Sequence, residues 1–232
     1  TGGDRALVRS VENFEDYMTF GAKQVDEAEM KPGDVLVALS ECGLSASING
    51  SAVRGYELGI KTYYLFCNPE EILRKHLDRA RKVFECLDEY QSNKAKGIDN
   101  GKYIVKIPLF VGNMAVSGST RMQVTTVELL AAGAALEVAA NRWLKEHLTE
   151  QELSVVNCEM IDLNAYADAF VSLNKQLSSG KALKGLAKAV DFEVNTYNQK
   201  GLVTYITHDY LLDIMTDTTE RQPTFTLPPF RK

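Results

Sequence analysis

Cysteine is scarce and unpatterned in this chain. Its four cysteines, Cys42, Cys67, Cys86 and Cys158, include no CxxC pair. Neither a disulfide framework nor a zinc site is therefore expected; buried or half-buried thiols of a reducing compartment are. Histidine is scarcer still. His76, His147 and His208 lie far apart, which leaves no metal-ligand spacing and no Ser/His/Asp pattern, and the first two fall in charged helical segments that solvent should reach. No apolar run reads as long enough to span a bilayer, and no signal-peptide pattern opens the chain, so the expected compartment is the cytoplasm, with no membrane partner. Basic residues are outnumbered 26 to 31, for a net charge of -5. That balance argues against a general nucleic-acid binder but not against a small anion held by a local site. Neither GxGxxG nor a P-loop is present, so no nucleotide is implied, and no cofactor or metal is expected.

What is present is an alternation of strand-like and helix-like segments. DVLVALS (34–40), KTYYLFC (61–67), KYIVKIPLF (102–110) and LVTYITHD (202–209) read as strands. The first two are short apolar or aromatic runs of the kind buried on both faces. Between them SASINGSAVRGYELG reads as a crossover helix, which implies a right-handed βαβ unit in a parallel sheet. Pro69 to Gln91 is amphipathic and helical, with Pro69, Glu70 and Glu71 suited to a first turn. The stretch from Leu153 to Gly201 looks helical, with a break near SSGK. TLPPFRK at the end reads as a loop or linker. The predicted class is α/β, with helices covering a parallel sheet.

Ligands of such sheets bind beyond the carboxyl ends of the strands, and two hydroxyl-rich helix starts fall there. After Ser40 comes ECGLSAS, where Gly43 allows close backbone approach and Ser45 and Ser47 offer hydroxyls. After Phe110 comes AVSGSTRM (115–122), just before a long Ala- and Leu-rich helix. A helix N-terminus has unpaired N–H groups and partial positive charge, so it takes Ser or Thr caps and also phosphate. The stretch alone leaves both roles open. Acidic candidates are Glu12, Glu15 and Asp16 in RSVENFEDY and Glu220 in MTDTTERQPTF; a carboxylate beside a sugar can move a proton or simply bind hydroxyls.

TGGDRALVRSVENFED, the strand followed by GLSAS, CNP (67–69) and SGSTRM together resemble the SIS (sugar isomerase) domain family. They are most similar to the branch that contains N-acetylmuramic acid 6-phosphate etherase and the glucokinase regulatory protein. The resemblance runs over roughly Thr1 to Ala140 and implies a three-layer αβα sandwich around a mainly parallel sheet. It implies catalytic roles for Glu15 and, through TERQPTF, for Glu220. It implies phosphate and sugar contacts from Gly43 and Ser45 and from Ser119 and Thr120. The chain departs from the family in several places; TERQPTF comes late, where two-domain members begin their second SIS domain, and YITHDYLLDIM lacks the glycine-serine turn. The first phosphate loop, a GxGTSGR-like turn, would precede Thr1. Gln123 and Val124 replace the usual Lys and small residue. Glu41 stands where the regulatory protein has Ser.

Residues 1–200 are therefore expected to be a SIS domain lacking its first phosphate loop, and 201–232 the start of a second such unit or a linker. The chain, which opens at Thr1 without Met, is expected to be a piece of a tandem protein. The expected function is sugar-phosphate binding, as a sensor or regulator like the glucokinase regulatory protein; the long insertion between CNP and SGSTRM favours that branch. The alternative is an etherase-like carbon–oxygen lyase using Glu15 and Glu220 as base and acid, with an aldose–ketose isomerase third. Expected partners are a phosphorylated sugar, a second SIS domain in a homo-oligomer or in tandem, and a protein bound through the 69–91 helix.

Overall fold

The computed structural model describes residues 15–76, 78–115, 123–156 and 162–209, which fall into two compact units, 15–129 and 130–209. The first unit contains α1 (Met18–Glu27), β1 (Val35–Ser40), α2 (Ala46–Glu57), β2 (Lys61–Phe66), α3 (Glu70–His76), α4 (Asp78–Ala95), β3 (Ile104–Pro108) and the opening turns of α5 (Gln123–His147). The sheet runs β1-β2-β3, all parallel, with Ser40 beside Phe66 and Phe66 beside Pro108. Three of the four predicted strands are therefore present, and the SASINGSAVRGYELG crossover is α2. The fold is α/β with a parallel sheet, as expected.

Side-chain alternation splits the sheet into two faces. Ala38, Tyr64, Phe66 and Ile104 point one way and pack on Ala52 and Tyr56 of α2 and on Val83, Phe84 and Leu87 of α4. Tyr64, Phe66 and Phe84 meet there with ring centroids 5.3 to 6.4 Å apart, mostly edge to face, the arrangement favoured by aromatic quadrupoles. The 69–91 insertion is thus a structural layer, with Leu73, Ala80, Val83, Phe84 and Leu87 buried. Some of its charges are paired locally: Arg74 binds Asp88 through two 2.8 Å bonds and Glu70 through a third, and Lys106 also reaches Glu70.

Behind α2 lies α1, and glycine sets how closely they cross. A Cβ at Gly50 would stand 1.9 Å from the Met18 carbonyl oxygen, and one at Gly21 would stand 1.6 Å from the carbonyl oxygen of Ser47. Ser51 seals the crossing by donating to the Gly21 carbonyl at 2.9 Å. Ser47, offered by the sequence as a second hydroxyl at the helix start, is instead buried in this contact.

In the second unit the remainder of α5 is followed by α6 (Glu150–Val155), α7 (Leu163–Leu177) and α8 (Gly180–Asn198). Each of the last three has a capping hydrogen bond at its start, from Thr149 (a full capping box with Glu152), Asp162 and Ser179, which is where the sequence places its Ser, Thr and Asp. The predicted break near SSGK falls between α7 and α8. Residues 202–209 carry no strand, contrary to expectation. A strand needs a ladder partner; none lies beside this segment among the described residues, and Ile206 is 93% exposed. The α5 helix is long and apolar enough, by length and composition, to cross a membrane, where the sequence reading saw no such run. Leu and Val supply more of that apolarity than Ala does, and buried Glu128 and Asn141 lie on the same helix.

Candidate functional site at the carboxyl edge of the sheet

Beyond β1 the chain turns through Glu41, Cys42 and Gly43 into α2. Gly43 has φ +72°, a left-handed conformation that glycine adopts freely. A Cβ there would also stand 2.7 Å from Leu73 Cδ1. The turn is fixed from several sides. Gly43 N donates to the Ser40 carbonyl at 2.8 Å, Cys67 N to the Glu41 carbonyl at 3.1 Å, and Asn68 Nδ2 to the Cys42 carbonyl at 2.8 Å. Asn49, fully buried, donates to the Gly43 carbonyl at 3.2 Å and accepts from the Tyr64 hydroxyl at 2.8 Å. Tyr64→Phe therefore leaves Asn49 Oδ1 unpaired in the core. It is expected to cost about 1–3 kcal/mol in urea unfolding, with the loss confined to stability if the turn keeps its shape.

Ser45 occupies the position before α2, yet its hydroxyl makes no capping bond. Sequence reasoning joined Gly43 and Ser45 as one turn, and the structure does place them together at the sheet's carboxyl edge. Glu15 is exposed, and its charge acts on the Cys42 thiol of the same turn. Ser119, Thr120, Glu220 and Glu12 lie outside the described residues.

The sequence reading did not single out the groups that meet Glu41 from across the edge. Thr125, in the first turn of α5, donates to Glu41 Oε1 at 2.5 Å. One turn on, Glu128 accepts from the Cys67 thiol at 3.8 Å and is only 6% exposed. Burial above all, then the neighbouring Glu41 carboxylate, pushes Glu128 up to about 7, with the Cys67 contact acting in the opposite direction. Burial likewise pushes the Cys67 thiol up to about 12 and raises that of Cys42, which favours the neutral thiol in both. The sequence did hold one signal for Glu128. It follows Val124 by four residues, and both are buried, so a carboxylate lies in the apolar stripe of a helix. Gln123 adds a clasp to the loop after β3: its amide nitrogen donates to the Asn113 carbonyl and its oxygen accepts from Ala115 N, both at 3.0 Å. The chain thus presents a half-buried and a buried carboxylate, a left-handed glycine turn and a helix start with an uncommitted hydroxyl along one edge.

An edge built this way invites comparison with known proteins. The chain is similar to N-acetylmuramic acid 6-phosphate etherases. It is 27% identical over 130 residues to that of Thermosynechococcus vestitus, covering 56% of this chain and 34% of the relative. Against the etherase of Picosynechococcus sp. it is 28% identical over 130 residues, 56% of this chain and 35% of the relative. Against that of Lactococcus lactis subsp. lactis the figures are 26% over 95 residues, 41% and 32%. The chain spans about a third of the length of the curated relatives it matches. No family model matches it.

Proposed function

We propose that the first unit binds a phosphorylated sugar at the carboxyl edge of its sheet, and that the reaction it serves is that of an etherase-like carbon–oxygen lyase of the SIS family. The similarity to N-acetylmuramic acid 6-phosphate etherases carries this reading. The Gly43 turn and the free hydroxyl of Ser45 support it, because a backbone turn opening a helix suits a phosphate or sugar hydroxyl. In this reading Ser119 and Thr120 add contacts from the segment before α5. Glu15 and Glu220 act as base and acid in eliminating the ether substituent from C3 of the sugar. One carboxylate takes the proton from the neighbouring carbon, and the other protonates the departing oxygen.

A regulator of the glucokinase regulatory protein type is the second reading. Its support is the long α4, which lengthens the connection between CNP and SGSTRM into a layer of the fold. Tandem or homo-oligomeric pairing of SIS units, with 201–232 opening a second one, belongs to both readings.

The two separate on one assay. The protein is incubated with N-acetylmuramic acid 6-phosphate and released lactate is followed with a coupled dehydrogenase, while thermal shift reports binding. Lactate release is the expected result. A thermal shift with N-acetylglucosamine 6-phosphate but no lactate would replace the lyase by the regulator.

A further inference from the structure

The second unit has helices without a core of their own. No residue of α6, α7 or α8 is buried. Among the described residues of 130–209 the buried ones are Ala134, Val138 and Asn141, all from α5. Yet α7 and α8 carry the pattern of core-forming helices. Along α7, Leu163, Tyr166, Phe170, Leu173 and Leu177 recur at steps of three and four. Along α8, Leu183, Leu186, Val190, Val194 and Tyr197 do the same, which puts one apolar stripe on each helix. The three leucines of the α7 stripe are 45% to 54% exposed, and Leu183, Leu186, Val190 and Val194 are 50% to 60% exposed. Helices of 15 and 19 residues draw most of their stability from packing such a face.

The charges beside the α8 stripe fit one kind of cover. Lys184 and Asp191 are both exposed, and neither makes an ion pair among the described residues. They stand two turns apart, so they lie on the same flank of the stripe. When two identical helices pack antiparallel about a two-fold axis, each flank meets its own counterpart running the other way. Lys184 then stands beside Asp191 of the second copy, and Asp191 beside Lys184 of that copy. About the same axis Leu186 meets Val190 and Leu183 meets Val194. The amount of surface fits as well: the two stripes leave on the order of 800 Å² of half-exposed side chain, what each partner of a stable complex buries.

We propose that the second unit is completed by a second copy of this chain, with the two α8 helices antiparallel and the two α7 helices closing a four-helix core around them. The pairing does not rest on the sugar-phosphate reading. It gives the homo-oligomer a surface beyond the stretch, roughly 1–140, that resembles the SIS family.

Sedimentation equilibrium of the full chain, from about 1 to 100 µM, tests this. The parent is expected to dimerise within that range. Lys184→Glu and Asp191→Lys each turn two attractive pairs into two repulsive ones, and each should raise the dissociation constant about tenfold. Combined, they restore the pairs with signs exchanged, so the double variant should return to within about threefold of the parent. Leu186→Asp should leave monomers at every concentration. All these positions are exposed, and circular dichroism checks that each variant keeps its helices. A parent that stays monomeric overturns the proposal, the face then being covered from within the chain. A dimer that none of the variants weakens has its interface elsewhere and overturns it too. Single reversals that weaken the dimer without recovery in the double variant overturn the antiparallel pairing.

Discussion

Gly50→Ala is expected to be among the most destabilising single-methyl additions in the chain. The new Cβ would lie 1.9 Å from the Met18 carbonyl oxygen, far inside contact distance, and the obstacle is backbone rather than a side chain that can swing away. Either α1 moves off α2 by more than an ångström or it detaches. Overpacking a fixed contact of this kind costs about 3 kcal/mol or more. Moving α1 also breaks the 2.9 Å bond from Ser51 to the Gly21 carbonyl and pulls on the Arg54–Asp26 pair. Urea unfolding followed by circular dichroism gives the measurement. Ser51→Ala is the comparison: it removes the bond without adding bulk, and a loss of about 1 kcal/mol is expected. Equal losses for the two variants would show that the hydrogen bond, not the close approach, holds α1. The effect reaches the proposed site because Glu15 lies just before α1, and its neighbour Asp16 pairs with Arg79 of α4 at 3.2 Å.

This crossing also shows what the sequence could and could not disclose. Short apolar runs separated by a helix-length spacer are enough to fix β1, α2 and β2, although β1 is not buried on both faces as its composition suggests: Val35 and Val37 are exposed. The position of Gly43 and Ser45 at the carboxyl edge was legible for the same reason, since they directly follow the apolar run of β1. Gly21 and Gly50 were not, since a glycine inside a helix looks like a weak helix former until its neighbour's carbonyl is known. Ser47 was misplaced by similar logic. A serine near a helix start is counted as a hydroxyl for a ligand, and only the packing of α1 shows it to be covered. Residues 202–209 failed as a strand because their composition is that of a strand while a ladder partner is a matter of tertiary structure. Glu128 lay in plain view in QVTTVELL, yet its neighbour Glu41 is 87 positions earlier. What sets Glu128 apart is its burial beside Cys67 with the Glu41 charge acting on it, which no local pattern reports.

If the proposed lyase reading holds, Glu15→Gln carries the largest expected effect on activity. The substitution keeps size and hydrogen-bonding reach but removes the ability to take a proton, so lactate release from N-acetylmuramic acid 6-phosphate should fall by about 10²–10⁴-fold, the usual contribution of a positioned acid–base group. The loss should fall on kcat with little change in KM, because an amide can still bind a sugar hydroxyl while a proton transfer occurs only in the transition state. Stability should barely move, since Glu15 is exposed. Asp16→Asn is the adjacent control: it weakens an exposed ion pair with Arg79, worth little in solvent, and should leave turnover within about twofold. If Glu15→Gln and Asp16→Asn lose activity to the same small extent, Glu15 is a surface carboxylate and the base must be sought elsewhere on the edge. The first place to look is Glu128, buried beside Cys67 and pushed up to about 7, whose contribution would then appear as a shift in the pH dependence of kcat in Glu128→Gln.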